Sequence, residues 1–202
     1  MNSPTLTSTS PAASAVTVRK IYGAGDSEVR ALDGVTVSFE RGKFTAIMGP
    51  SGSGKSTLMH CMAGLDSLTE GEVSIGSTTL AGLSDKELTM LRRKQIGFIF
   101  QAFNLIPTLS AYENIVLPLS LDGATGDATW IDSVIDTIGL RDRLDHRPSE
   151  LSGGQQQRVA VARALASKPA IIFADEPTGN LDSRTGGEVL GFMRRAVTDL
   201  GQ

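Results

Sequence analysis

Gly49-Pro50-Ser51-Gly52-Ser53-Gly54-Lys55-Ser56 carries the strongest structural signal in the chain. A glycine, four residues and then Gly-Lys-Ser is the spacing at which backbone N–H groups curl around an anion. The run before it, Lys43–Met48, reads as a strand. The run after it, from Lys55 to Gly64, reads as a helix closed by a glycine. In that context the helix start carries a partial positive charge, Lys55 a full one, and Ser56 offers a hydroxyl to Mg²⁺. The backbone of residues 51 to 56, with Thr57 beyond it, would form the cradle for β- and γ-phosphates. An ordinary Gly/Ser turn before a helix is the competing reading.

Further along the chain, Ile171-Ile172-Phe173-Ala174 reads as an apolar strand that ends in Asp175-Glu176. Ligands of open α/β sheets lie at the carboxyl ends of strands, so two carboxylates arrive where a bound triphosphate would sit. Asp175 suits Mg²⁺ held through its water shell, and Glu176 suits a base that polarises water in line with the γ-phosphate. Taken alone, Asp-Glu after a strand would also serve as a helix cap with a solvated charge. Between loop and strand stands Leu151-Ser152-Gly153-Gly154-Gln155, ahead of the helical run from Gln156 to Leu165. Ser152 is an N-cap residue type and the two glycines leave backbone N–H groups open, which makes a second helix start suited to an anion.

The remaining sequence supplies the frame. Val16–Tyr22 and Val35–Glu40 read as strands, Glu72–Ile75 with Thr78–Leu80 as a small hairpin, and Ser84 with Glu87 as the capping box of a helix. Gln95–Phe100 reads as a buried strand, Ser110–Leu119 and Thr129–Leu140 as helices, Ala170–Ala174 as a strand and Arg184–Leu200 as a final helix. Strands alternating with helices predict an α/β fold with a mostly parallel sheet and a helical insert. The 202 residues, 40% hydrophobic and 20% charged, fit one domain with a sizeable core. A net charge of -3 gives no field for holding nucleic acid, which is excluded as a partner. Cys61 is the single cysteine, so no internal disulfide forms, and no run of about 18 apolar residues is present to span a membrane. Met1–Ala15, rich in Ser, Thr, Pro and Ala, reads as a disordered tail with no export signal.

Together these motifs resemble the ATP-binding cassette (ABC) ATPases, whose signature is Leu-Ser-Gly-Gly-Gln, and the resemblance runs from Val16 to the end of the chain. It implies a P-loop NTPase fold with a RecA-like parallel-sheet core formed by residues 16–100 and 167–202. A small antiparallel β subdomain and a helical subdomain over residues 101–166 would complete it. It implies ATP and Mg²⁺ as ligands, and a head-to-tail dimer in which Ser152, Gly153, Gly154 and Gln155 of one copy close over ATP held by Gly49–Thr57 of the other. Tyr22 corresponds to the aromatic that stacks on adenine, its alternative being a strand aromatic in the core. Gln101 corresponds to the glutamine that touches Mg²⁺ and senses the γ-phosphate, and otherwise is a surface turn residue. Asp182 corresponds to the loop that communicates across the dimer, and otherwise caps the helix that follows. Lys55, Gln101 and Glu176 would be catalytic, and Ser56, Gln101 and Asp175 would hold the metal.

The stretch from Gln101 to Asn114 and that from Asp175 to Asp182 resemble most the subgroup of lipoprotein-release, macrolide-export and cell-division cassettes. That likeness implies a separate transmembrane permease as partner, contacted through Gln101–Asn114, and a cytoplasmic chain peripheral on the inner face of the membrane. The alternative is a nontransport cassette that regulates an envelope or cell-division partner. The family also has a strand after the helix that follows Asp182, ending in a histidine at the γ-phosphate. Gln202 precedes that strand, so a truncated cassette lacking this sensor is expected. His60 and His146 do not match its position and read as packing or surface residues.

Overall fold

The computed structural model describes residues 10–123 and 126–202, the side chain of residue 26 excepted. Among these residues six strands, β1 (Ala13–Tyr22), β2 (Val29–Phe39), β3 (Glu70–Ile75), β4 (Thr78–Thr79), β5 (Ile96–Ile99) and β6 (Ile171–Ala174), form two sheets. Six α-helices accompany them: α1 (Lys55–Met62), α2 (Asp85–Gln95), α3 (Ala111–Leu121), α4 (Ala128–Ile138), α5 (Gly153–Leu165) and α6 (Ser183–Thr198).

One sheet is antiparallel with the order β2-β1-β3-β4. Its central strand carries a bulge. Ala13 and Ala15 point inward, Thr17 adopts a φ of +49°, and beyond the register break the inward residues are Val18 and Lys20. A one-residue insertion moves every later side chain to the opposite face, and this one turns Lys20 into the protein. The other sheet is the parallel pair β5 and β6, in register from Ile96 opposite Ile171 to Ile99 opposite Ala174. Crossover through the intervening helices permits that parallel pairing and delivers Asp175 to the end of β6, where its N–H donates to the carbonyl of Ile99 at 2.9 Å.

Two apolar cores result. One lies between the antiparallel sheet and α1, built on Val18, Val73, Ile75 and Met62, and reaches β6 through Phe173. The other joins α3, α4 and α5 around Ile115, Ile135, Val159 and Leu165, and also takes in Ile99 of β5 and Val189 of α6. Cys61 is buried in the first, and burial pushes its thiol up to about 11, consistent with a packing role. Among the described residues no helix is long and apolar enough to cross a membrane.

Two sequence expectations need correction. Lys43–Met48 is not a strand: it runs without regular structure, with Phe44, Ile47 and Met48 exposed. A strand exists only through a hydrogen-bonded neighbour, and a cleft of about 340 Å³ lies between this segment and β6, lined by Phe44–Ile47 on one side and Ile171–Glu176 on the other. The parallel sheet therefore has two strands, and the antiparallel sheet is the larger. Ala13–Ala15, assigned to the tail, form the start of β1, because Ala13 and Ala15 bury fully beneath the sheet and pair with Phe39 and Val37. Residues 1–9 of that segment lie outside the described residues.

Candidate functional site

The glycine loop closes on itself as its residue types dictate. Gly54, the N-cap of α1, has a φ of +86°, a left-handed conformation that a side chain would resist, and a Cβ there would overlap the carbonyl oxygen of Ala31. α1 thus begins free of bulk, with its first N–H groups facing the loop. The Lys55 ammonium crosses the loop and donates to the carbonyls of Gly49 at 2.9 Å and Pro50 at 2.7 Å. Those are weak neutral acceptors, which an anionic phosphate oxygen would displace. Gly49, Pro50, Ser51, Gly52 and Ser53 form the exposed rim, and Ser56 and Thr57 stand half-buried behind it.

Ser56 Oγ donates to Asp175 Oδ1 at 2.7 Å, joining loop to acidic strand. His60, one turn further along α1, sets Nε2 3.4 Å from Asp175 Oδ2 and packs its ring 5.8 Å from Phe98. By sequence His60 is a packing or surface residue; its i, i+4 relation to Ser56 is the signal that both face β6. Glu176 is exposed and holds a φ of +46°. That conformation is sparsely populated for a residue with a side chain, and such backbone strain gathers at functional sites. The turn is fixed from behind: Gly179 N–H donates to the Glu176 carbonyl, and buried Gln157 of α5 donates from Nε2 to the Pro177 carbonyl at 2.7 Å. No sequence pattern singled out Gln157.

Gln101 is bound to the loop after β6. Its Nε2 donates to Asn180 Oδ1 at 3.2 Å, and Asn180 Nδ2 returns a bond to the Gln101 carbonyl at 3.0 Å. It is thus a partnered residue beside the acidic turn and not bonded to Asp175 or Ser56. The segment after it is held by two side chains. Arg163 donates to the carbonyls of Phe103 and Asn104, whose φ values of +45° and +51° are both left-handed. Asn114, fully buried, accepts from the Ile106 N–H and donates to the carbonyls of Ile106, Leu109 and Ser110.

The second helix start is capped as its sequence foretold. Gln155 N–H donates to Ser152 Oγ at 3.3 Å, and Ser152 N–H to Gln155 Oε1 at 2.8 Å. Gly154 is buried where a Cβ would overlap Cγ2 of Thr185, and Gly153 lies against Leu181. α5 therefore abuts the start of α6, which Asp182 caps by accepting from the N–H groups of Arg184 and Thr185 at 3.0 Å and from Thr185 Oγ1 at 2.6 Å. Those bonds, the Thr185 hydroxyl first, hold the Asp182 carboxyl below its ordinary value. Among the described residues no hydrogen bond joins Ser152–Gln155 to Gly49–Thr57 of the same chain.

Tyr22, at the end of β1, is 41% exposed rather than buried in the sheet, which removes the core-aromatic reading. Its hydroxyl donates to Asp66 Oδ2 at 2.6 Å.

A glycine cradle bonded through its serine to an acidic strand end defines a P-loop ATPase, and the capped signature helix abutting Asp182 marks it as the cassette kind. The ABC transporter family profile matches residues 32–179, and the chain belongs to that family. It is 50% identical over 180 residues to the macrolide export ATP-binding/permease protein MacB of Bdellovibrio bacteriovorus, covering 88% of this chain but 27% of that protein. It is 42% identical over 198 residues to the lipoprotein-releasing system ATP-binding protein LolD of Alcanivorax borkumensis, covering 97% of this chain and 87% of the relative. The dimeric structure of the ABC transporter cassette MJ0796 superposes with a TM-score of 0.81 at 43% identity, over 94% of this chain and 84% of that one. A second structure of MJ0796, in a post-hydrolysis state bound to ADP and Pi, superposes at 0.80. The chain is therefore an ABC-type ATPase.

Proposed function

We propose that two copies of this chain close on two Mg-ATP molecules and, by hydrolysing them, drive a separate membrane permease of the export or extraction type. The observation that carries the reading is the 2.7 Å bond from Ser56 to Asp175, which sets a hydroxyl and a carboxylate side by side at the mouth of the glycine loop. Hard oxygen donors of this kind suit Mg²⁺. Ser56, Asp175 and Gln101 would hold the cation, Asp175 through its water shell, with phosphate oxygens as further hard donors. Bound there, Mg²⁺ would neutralise charge developing on the phosphoryl oxygens. Lys55 and the amides of Ser51–Thr57 would orient the triphosphate, Glu176 would polarise the attacking water, and Gln101 would sense the γ-phosphate.

The signature belongs to the partner copy's nucleotide in this reading. Ser152, Gly153, Gly154 and Gln155 share no hydrogen bond with their own glycine loop, and the related cassette MJ0796 is described as dimeric. Asp182, beside them, would lie at the dimer seam. The permease contact is assigned to the segment from Gln101 to Asn114, where Ile106 and Tyr112 are exposed on a backbone that Arg163 and Asn114 keep rigid. Placement at the inner face of the membrane follows from that contact.

Glu176→Gln tests the proposal. With ATP and Mg²⁺ the variant is expected to lose turnover by roughly a hundredfold or more and to elute as a dimer, while ADP leaves it monomeric. A monomer at saturating ATP would contradict the shared-site reading.

A further inference from the structure

Lys20, Tyr22 and Asp66 form a hydrogen-bonded group that reaches Thr57 of the glycine loop through the Tyr22 hydroxyl and has no role in the hydrolysis proposed above. Lys20 is 8% exposed, turned inward by the bulge in β1, and its Nζ donates to Asp66 Oδ1 at 2.7 Å and to the Ser67 carbonyl at 2.6 Å. Tyr22 donates its hydroxyl to the other oxygen of the same carboxylate at 2.6 Å, and the Lys20 ammonium stands 4.8 Å from the centre of its ring. Asp66 is in turn placed by α1, because the N–H groups of Leu65 and Asp66 both donate to the His60 carbonyl.

The same contacts set the acidities of the three groups. Burial pushes the Asp66 carboxyl up, but hydrogen bonds from Lys20 and Tyr22 outweigh it and hold the group below its ordinary value. The bond to Asp66 raises the Tyr22 phenol and the Lys20 ammonium alike. A tyrosine left free at a strand end would swing about two side-chain torsions. Here its far end is fixed by a charged acceptor and one flank by a cation, and the residue is 41% exposed.

We propose that Lys20 and Asp66 are positioning residues that lock the Tyr22 ring as a base platform and tie it to α1, whose other end holds the phosphates. Base and triphosphate are then read at one fixed separation, set by a single helix. This rests on Tyr22 being the surface on which the adenine stacks. A buried lysine needs an anionic partner in any fold, so the discriminating readout must separate base recognition from fold integrity.

The experiment compares the affinities of Mg-ATP and Mg-tripolyphosphate, which lacks the base, for the wild type and for Tyr22→Ala, Tyr22→Phe and Asp66→Asn. Tyr22→Ala is expected to weaken Mg-ATP roughly tenfold or more and to leave tripolyphosphate unchanged. Tyr22→Phe, which keeps the ring and removes the hydroxyl, and Asp66→Asn, which removes the negative charge and leaves one acceptor oxygen for Tyr22 and Lys20 to share, are each expected to weaken Mg-ATP about threefold or more, again with tripolyphosphate unchanged. If Tyr22→Ala leaves Mg-ATP binding intact, the platform reading falls and the clasp with it. If Tyr22→Ala weakens Mg-ATP while Tyr22→Phe and Asp66→Asn do not, the platform stands and the clasp is overturned. Parallel loss of both ligands in the tether variants would also overturn it, since the group would then act only on the fold.

Discussion

Ser56 and Asp175 stand 119 residues apart and share the bond on which the site depends. Removing the serine hydroxyl leaves Asp175 with His60 at 3.4 Å as its close neighbour and takes one hard oxygen from the cation site. Ser56→Ala is therefore expected to weaken ATP binding roughly tenfold when Mg²⁺ is present and hardly at all when the metal is chelated. Titration of a fluorescent ATP analogue under both conditions measures the difference, and an equal loss in both would place Ser56 on the phosphate and not on the metal. Glu176 adds a second lesson at this scale. The sequence marks its side chain as a candidate base but says nothing of its left-handed backbone, which sits in a turn held by the Gly179 N–H and by the Gln157 bond to Pro177.

The elements show where local rules suffice and where they fail. Helix starts at Ser84, Ser110 and Ser152 carry the full reciprocal capping box, a signal confined to four consecutive residues and therefore readable from sequence. Strand formation over residues 43–48 was misread, because apolar β-branched content states a preference while pairing needs a neighbour from elsewhere in the chain. Between those cases lies the meeting of α5 with α6. A methyl at Gly154 would overlap Cγ2 of Thr185, so Gly154→Ala is expected to destabilise the protein by about 1–3 kcal/mol through overpacking. In a thermal melt Thr185→Ser, which removes Cγ2 and keeps the hydroxyl bonded to Asp182, should restore most of that loss in the double variant. Simple additivity of the two changes would refute the contact.

At the scale of the molecule, charge couples the elements to pH. Asp66, Glu87, Asp127, Asp136 and Asp182 all have carboxyls held below their ordinary values. For Asp66, partners overcome the opposing effect of burial; the chief cause is the Ser84 hydroxyl for Glu87, Lys168 for Asp127, Arg141 for Asp136 and the Thr185 hydroxyl for Asp182. A depressed folded-state value means that the unfolded chain binds more protons in the acid range, so this stabilisation is complete above the ordinary carboxylate range and is lost as pH falls through the folded values. The urea midpoint is expected to hold between pH 7 and 5 and to drop below about pH 4. A midpoint that stays level to pH 3 would show that these contacts are not maintained in solution. What the sequence determined by itself was the chemistry of short-range patterns: the glycine loop, the capped signature helix, the acidic strand end and the cassette architecture they imply. Only the tertiary structure decided that His60 lies against Asp175, that Gln157 braces the turn after β6 and Asn114 the segment from Ile106 to Ser110, and that Lys20 turns inward to hold Asp66 beside Tyr22. The physical reason is range. A cap or a glycine turn is fixed by bonds within a few residues, whereas those contacts arise where separate elements meet, and a single bulge at Thr17 is enough to choose which side chains face them.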